Sequence, residues 1–415
     1  MKKLIALTLA ALMLLAFMAG CATSSDSPPP GGGNASPGSA SPGGAPGEVI
    51  DLLVWGPQEG QAFLQKAIEE FQAANPGTTY NFTLGVVGED MAQTRLSEDP
   101  EAGADVFSFV DDGLRNLVNA GMLYEVTRNA DDIKSRNVES SVDIVTLDGK
   151  LWAYPQTADN GYFFFYDKSV ISEEDVKSLD GIIAASNAAG KKFTYPIGVA
   201  WVTASWFLAQ GQLSLVDGQQ VCDFNNANGV AAVEAMQAMV NSGAWGNGWV
   251  DELVEGIGTT HSGGVGGIWM VADISAKLGD NFGATKLPTA KIGGKEVQLS
   301  SFFGCKHVGV NSQTKNPVAA MEFADFLTSE AMQLLNFEMR GMGPSNKNAG
   351  ASAEVQADIA LAALALQSNY AVSQRDVLGG YWSPVEALGN MIINNEVTNI
   401  QAALDEVVAQ ITEAN

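Results

Sequence analysis

From Val49 to Gly121 short apolar runs take turns with segments of helical period, and few folds are open to a chain written this way. VIDLLVW (49–55) ends at Gly56-Pro57 and reads as a buried strand. Leu64, Ala67, Ile68 and Phe71 then share one helix face until Asn75-Pro76-Gly77 stops it. Tyr80, Phe82, Leu84 and Val86 alternate as a strand, Met91–Leu96 is helical, ADVFSFV (104–110) is another buried strand, and a further helix closes at Gly121. The order β-α-β-α-β-α predicts a mainly parallel sheet covered by helices.

The alternation starts again further on. Asp148-Gly149 is expected as a hairpin turn, and YFFFY (162–166) as the first strand of a second unit. Helices are expected near 178–189, 202–210 and 228–241, and strands near 193–199, 266–270 and 306–311. Helices near 317–328, 330–340, 354–368, 384–394 and 399–412 complete the chain. At 415 residues the chain exceeds what one core serves, so two α/β domains are expected. Their boundaries are placed at 48–157 plus 308–352 for an N-terminal lobe and 158–307 plus 353–415 for a C-terminal lobe.

Ahead of this body, Lys2 and Lys3 precede fifteen uncharged residues, Leu4 to Met18, then Ala19, Gly20 and Cys21. That is the layout of a secretory signal, residues 1–20, too short to be a spanning helix. LAFMAGC also resembles a bacterial lipobox, which implies that Cys21 is lipidated and that the protein sits, anchored, on the extracellular face of the cytoplasmic membrane. Residues 22–47, nearly all Ala, Ser, Pro and Gly, cannot bury enough surface to fold and form a linker spanning roughly 25–30 Å.

Composition excludes several partners. Without Lys2 and Lys3 the chain carries 20 basic against 47 acidic residues, a net charge of −27 that repels phosphate backbones, so no nucleic-acid partner is expected. Three cysteines and two histidines, His261 and His307, are too few and scattered for a zinc site. Cys222 and Cys305 could pair in an oxidising compartment or stay as two buried thiols. There is no phosphate loop, HExxH, GxSxG or calcium loop; GGVGG (263–267) precedes a strand rather than following one, and SQTK (312–315) lacks companion motifs. No metal, no cofactor and no catalytic residue is expected.

What remains is a recurring pairing of aromatic rings and acids at strand ends, where ligands of open α/β sheets lie. Gln58 and Glu59 follow Trp55; Asp111 and Asp112 follow Phe109; Asp159, Asn160 and Tyr162 adjoin the second unit; Trp201, Trp269 and Tyr381-Trp382 occupy strand ends or loops. Flat rings pack on the C–H faces of a pyranose while carboxylates accept from its hydroxyls, so the pattern points to a sugar. Plainer readings compete: Phe109 as core, Asp111-Asp112 as a helix cap, Asp159-Asn160-Gly161 as a turn. Trp152, Trp206, Trp245 and Trp249 are assigned to packing.

Several stretches resemble one family. LDGKLWAYPQTADNGYFFFYDKSV (147–170), ADVFSFVDDGLRNLVNAGML, GGIWMVADI, FGATKLP and FFGCKHVGVN are similar to segments of the extracellular solute-binding proteins of sugar ABC importers, the maltose/maltodextrin-binding type. The resemblance implies a type II-like periplasmic-binding fold with a ligand cleft between two hinged lobes. It also implies malto-oligosaccharide as ligand, permease subunits in the membrane as partners, and a monomer that is not an enzyme. It carries Glu59 and Asp112 over as hydroxyl acceptors, Phe109, Trp269 and Trp382 as stacking positions, and Asp159 as an acid near the crossover. Gly113 replaces a basic contact of the family, and the segment around Trp201 lacks its Glu-Pro-Tyr string. A surface glycoside hydrolase, a surface adhesion or structural lipoprotein, and a binding protein for another oligosaccharide are the alternatives.

Overall fold

The computed structural model describes residues 49–413; the expected signal, Cys21 and linker lie outside them. Two sheets organise the body. The first runs in the order Ala371–Ser373, Ser301–Val310, Val106–Val110, Val49–Gly56, Thr79–Val86, with Tyr154–Gly161 also paired along Ser301–Val310. Val49–Gly56 pairs parallel with both Thr79–Val86 and Val106–Val110, as the β-α-β alternation requires. The second sheet runs Trp245–Gly246, Lys192–Thr194, His261–Gly266, Phe163–Asp167, Phe282–Thr285.

Each sheet owns its core. Leu52, Val54, Phe63, Phe71, Val106, Phe107 and Phe109 pack with Val308, Val310 and Phe323 around the first. In the second, the aromatic run divides by strand alternation: Phe164 and Tyr166 enter one layer with Phe193 and Trp206, while Phe163 and Phe165 enter the opposite layer with Leu253 and Ile274. A strand covered on both faces needs a continuous apolar run, which is why YFFFY has no polar alternation.

Two long strands join the lobes. Tyr154 lies in the first core and Tyr162 in the second. Val308 lies in the first and Phe302 in the second, so Tyr154–Gly161 and Ser301–Val310 cross between lobes as an antiparallel pair. Their register slips between Gly304 and Lys306 and again between Lys306 and His307. Such irregularities weaken the ladder in the stretch that crosses between the two lobes.

The hairpin forms at Thr146–Leu147 and Lys150–Leu151, with Asp148 (φ 53°) and Gly149 (φ 75°) both left-handed, as a two-residue turn demands. Four expectations are corrected. The strand near 266–270 is instead His261–Gly266, followed by a 3-10 turn Ile268–Met270. The strand near 193–199 stops at Thr194, because Pro196 has no N–H for a ladder, and the next helix starts early at Ala200. The helix near 354–368 is broken in two, the second part capped by Asp358, which accepts from Leu361 N at 2.8 Å. The strand at 306–311 is the end of the longer Ser301–Val310. Cys222 and Cys305 are free thiols in different cores, not a disulfide. Among the described residues no helix is long and apolar enough to cross a membrane.

Candidate functional site

The carboxyl ends of Val49–Gly56 and Val106–Val110 lead into 3-10 turns, Gln58–Gly60 and Asp111–Gly113, which carry Glu59 and the pair Asp111-Asp112. Gln58 and Glu59 are exposed. Asp111 and Asp112, adjacent in sequence, have opposite fates. Asp111 is fully buried, its carboxylate pressed against Gly304 of the crossing strand. Asp112 is half-buried and borders a cavity of about 180 Å³ that it shares with Glu89, Asp90, Gly113, Val377, Gly379 and Trp382. Burial raises the Asp112 carboxyl to about 6, opposed by a hydrogen bond donated by the Gln374 side chain. Burial, and next the charge of Asp112, push Asp111 well above the carboxylate range.

A continuous belt of contacts leads from Glu59 to Asp112. Arg340 Nη2 lies 3.7 Å from Glu59 Oε1 and 4.0 Å from Glu89 Oε1, and Lys306 Nζ lies 3.7 Å from Glu89 Oε1. Lys306, on the crossing strand and only 4% exposed, places its ammonium 5.4 Å from the Trp269 ring centre. Trp269 neighbours Trp201 at 5.9 Å, and Trp201 neighbours Trp249 at 6.3 Å. Trp201 Nε1 donates to Gln374 Oε1 at 2.7 Å, and Gln374 meets Asp112. The belt draws acids from the first lobe and indoles from the second.

Of the expected contact residues, the structure brings Glu59, Asp112, Trp201, Trp269 and Trp382 to this region with partly open side chains. Others it seals away. Phe109 has no exposed surface and packs on Phe107 and His307 inside the first core. A sealed ring cannot stack on a ligand, so its placement is that of a core residue. Tyr162 is likewise fully buried, edge-on to Trp201 at 4.5 Å, and Tyr381 is buried with its hydroxyl donating to Ala200 O. Asp159, also fully buried, accepts from Gly343 N at 2.5 Å and thereby pins one crossing strand to the returning chain; Asn160 beside it is 6% exposed. Burial raises the Asp159 carboxyl, opposed by the charges of Lys306 and Arg340.

Sequence reasoning missed Glu89, Lys306, Arg340 and Gln374; Trp249, assigned to packing, does pack against the second core, next to Trp201. Only Lys306 left a signal, a lone cation inside an apolar strand. Trp206 is a core ring as expected, 1% exposed. A larger groove of about 470 Å³ lies elsewhere, along Glu125–Asp132 and Gly149–Leu151, but no aromatic ring lines it. Among the described residues no group of His, Cys, Asp and Glu is placed to hold a metal ion.

Comparison with known proteins gives a consistent result. A Bacillus subtilis galactooligosaccharide-binding protein is 23% identical over 360 residues, covering 81% of this chain and 83% of that one. A solved structure described as "with acarbose" is 29% identical over 88% of this chain and all of that one, with a TM-score of 0.81. The maltodextrin-binding protein MalE1 from L. casei BL23, solved without ligand, is 25% identical over 88% of this chain and 99% of that one, with a TM-score of 0.75. These are two-lobed binding proteins, and the α/β architecture of the present chain is theirs. The sequence profile of the bacterial extracellular solute-binding proteins matches residues 66–363, well over half of the chain, and the protein belongs to that family.

Proposed function

We propose that the protein captures an oligosaccharide, of malto type, between its lobes and hands it to the permease of an ABC importer. The observation that carries this reading is the belt itself, which leads from Glu59 through Arg340, Glu89 and Lys306 of the first lobe and hinge to Trp269 and Trp201 of the second, beside a cavity that Asp112 and Trp382 line together. An uncharged sugar escapes repulsion by the acidic body, and rings with carboxylates supply both surfaces that a pyranose presents. At about 1.5–3 kcal/mol per charged hydrogen bond, a few such bonds and two aromatic platforms offset an association cost of about 4–15 kcal/mol. Relatives named for maltodextrin and galactooligosaccharide binding support the ligand class.

The cavity of about 180 Å³ is smaller than the roughly 300–1,000 Å³ usual for ligand sites. Entry of an oligosaccharide therefore requires the lobes, taken as 48–157 with 308–352 and 158–307 with 353–415, to part at the two crossing strands. Differential affinity for the closed arrangement then drives closure. Family membership makes the protein an exported one; the lipobox-like LAFMAGC supports tethering through Cys21.

Titration calorimetry with malto-, xylo-, fructo- and galacto-oligosaccharides tests the reading. One-to-one saturable binding of the malto series is expected, weakened about 10- to 100-fold in Trp269→Ala and Trp382→Ala as each loses about 1.5–3 kcal/mol of apolar burial. Tighter binding of another series moves the specificity; no binding of any, or release of shortened sugars, refutes the trap. Loss of membrane retention in Cys21→Ala tests the anchor.

A further inference from the structure

The cavity beside Asp112 is walled from two sides. Gly113 and Asn116 belong to the first lobe, and Val377 and Gly379 to a returning segment of the second. Three charged residues that do not themselves line the cavity, Arg115, Arg375 and Asp376, alternate with these wall residues along the chain. Arg115 stands on the helix Leu114–Asn119, whose Leu114 and Leu117 are buried in the first core. Arg375 and Asp376 stand in a stretch seated on the second core by Val372 and Val377. Leu378 N then donates at 2.7 Å to Gln220 Oε1, on the strand that also puts Cys222 into the second core.

The three charges join the two sides. Asp376 Oδ1 accepts from Arg115 Nη2 at 3.1 Å, a contact between lobes. Arg375 grips the same carboxylate at two points, Nε to Oδ1 at 3.1 Å and Nη2 to Oδ2 at 2.8 Å. Its other terminal nitrogen, Nη1, donates at 3.3 Å to Asp143 O, on a first-lobe helix whose Ile144 enters the first core. The two-point grip lies within one lobe and orients the carboxylate before Arg115 meets it. Parting the lobes therefore breaks Arg115–Asp376 and Arg375–Asp143 and leaves Arg375–Asp376 whole. We propose that Arg115, Arg375 and Asp376 form an ionic clasp between the lobes, which holds the closed arrangement and sets how fast a bound ligand is released without touching it. This rests on the reading above of a cleft that opens and closes on a sugar. Widening the cavity means drawing Gly113 and Asn116 away from Val377 and Gly379, which pulls Arg115 from Asp376. Glu89, Asp90 and Asp112 line the same cavity, and the two guanidinium groups let Asp376 approach that acidic rim.

The test uses the whole chain in its Cys21→Ala form, with Arg115→Met, which keeps the stem and drops the donors, and Asp376→Asn, which keeps the shape and drops the charge. Maltotriose release is followed by stopped-flow tryptophan fluorescence. The side chains of Arg115, Arg375 and Asp376 are 33%, 31% and 29% exposed, so solvent moderates the clasp. Each single variant is expected to speed release about 3- to 10-fold at about 20 mM NaCl. The double variant is expected to fall short of the product of the singles, because both remove one contact. The ratio of variant to parent rate is expected to shrink at about 500 mM NaCl, where the parent's clasp is screened as well. A change of less than twofold in Arg115→Met at low salt, strict additivity, or a ratio indifferent to salt overturns the proposal.

A measurement without sugar separates the clasp from the carbohydrate reading. Arg115→Glu sets a carboxylate against Asp376, and small-angle scattering of the sugar-free chain is expected to show a radius of gyration a few per cent above the parent's, itself roughly 21 Å for a compact body of this size. Adding Asp376→Lys restores an opposite pair and is expected to bring the radius back toward the parent's. Scattering of Arg115→Glu that superimposes on the parent's refutes the clasp whatever the cleft binds. An expanded Arg115→Glu in a chain whose parent takes up no maltotriose supports the clasp and refutes only the choice of ligand.

Discussion

Replacing Asp112 by Asn sets stability against function. Burial lifts this carboxyl from its ordinary 3.8 to about 6, so the folded protein holds a proton more tightly there than the unfolded chain does. Between about pH 4 and pH 6 the folded state therefore binds more protons, and stability falls as pH rises through that window. Above pH 6 the whole penalty of keeping a charged carboxylate in the cleft is present; below pH 4 it is absent. A shift of about two units corresponds to about 3 kcal/mol at most. Asp112 keeps a partly exposed edge, and solvent screening reduces this to about 1–2 kcal/mol. Asn fills the same space, still accepts from Gln374, and carries no charge. Asp112→Asn is thus expected to be more stable than the parent by about 1–2 kcal/mol in urea unfolding at pH 7.5, with the gain vanishing at pH 4. Its sugar affinity is expected to fall about tenfold or more, since a neutral oxygen is a weaker acceptor than a carboxylate. A variant less stable than the parent at pH 7.5, or a difference that does not change between pH 4 and 7.5, refutes the reasoning.

The remaining predictions concern the sealed residues. Phe109→Ala empties a fully buried site and is expected to cost about 3–5 kcal/mol in urea unfolding, while sugar affinity measured on the folded protein stays within about twofold. A Cβ added at Gly304 would run into both oxygens of Asp111, so Gly304→Ala is expected to lose about 1–3 kcal/mol, and Asp111→Ala in the same chain to restore part of it; a double-mutant cycle reads the coupling. His307 is buried against Phe109 and burial lowers its imidazole to about 3, so the unfolded chain binds a proton there first as pH falls. Stability is expected to drop between pH 6.5 and about 3 by up to about 5 kcal/mol from this residue, and His307→Met to flatten that part of the profile.

Much of the architecture is written locally. Apolar runs separated by helix-period segments specify which elements form, Asp148-Gly149 specifies a left-handed turn, and the unbroken YFFFY specifies a strand covered on two faces. The acids and rings at strand ends point to the carboxyl edge of the sheets because local order alone places them there. Tertiary packing decides which of them face outward. Asp111 and Asp112 are chain neighbours, yet one is sealed against Gly304 and the other borders the cavity, because successive residues of a tight turn project in different directions and the crossing strand covers only one. Phe109 and Trp382 both sit beside strand or helix ends, but Phe109 meets His307 and Phe107 while Trp382 meets open volume. Glu89, Lys306, Arg340 and Gln374 are far apart in sequence, and no periodicity marks them as partners. Their meeting depends on how two separately built cores are set against each other at the crossing strands, and long-range closure of that kind leaves no local pattern to read.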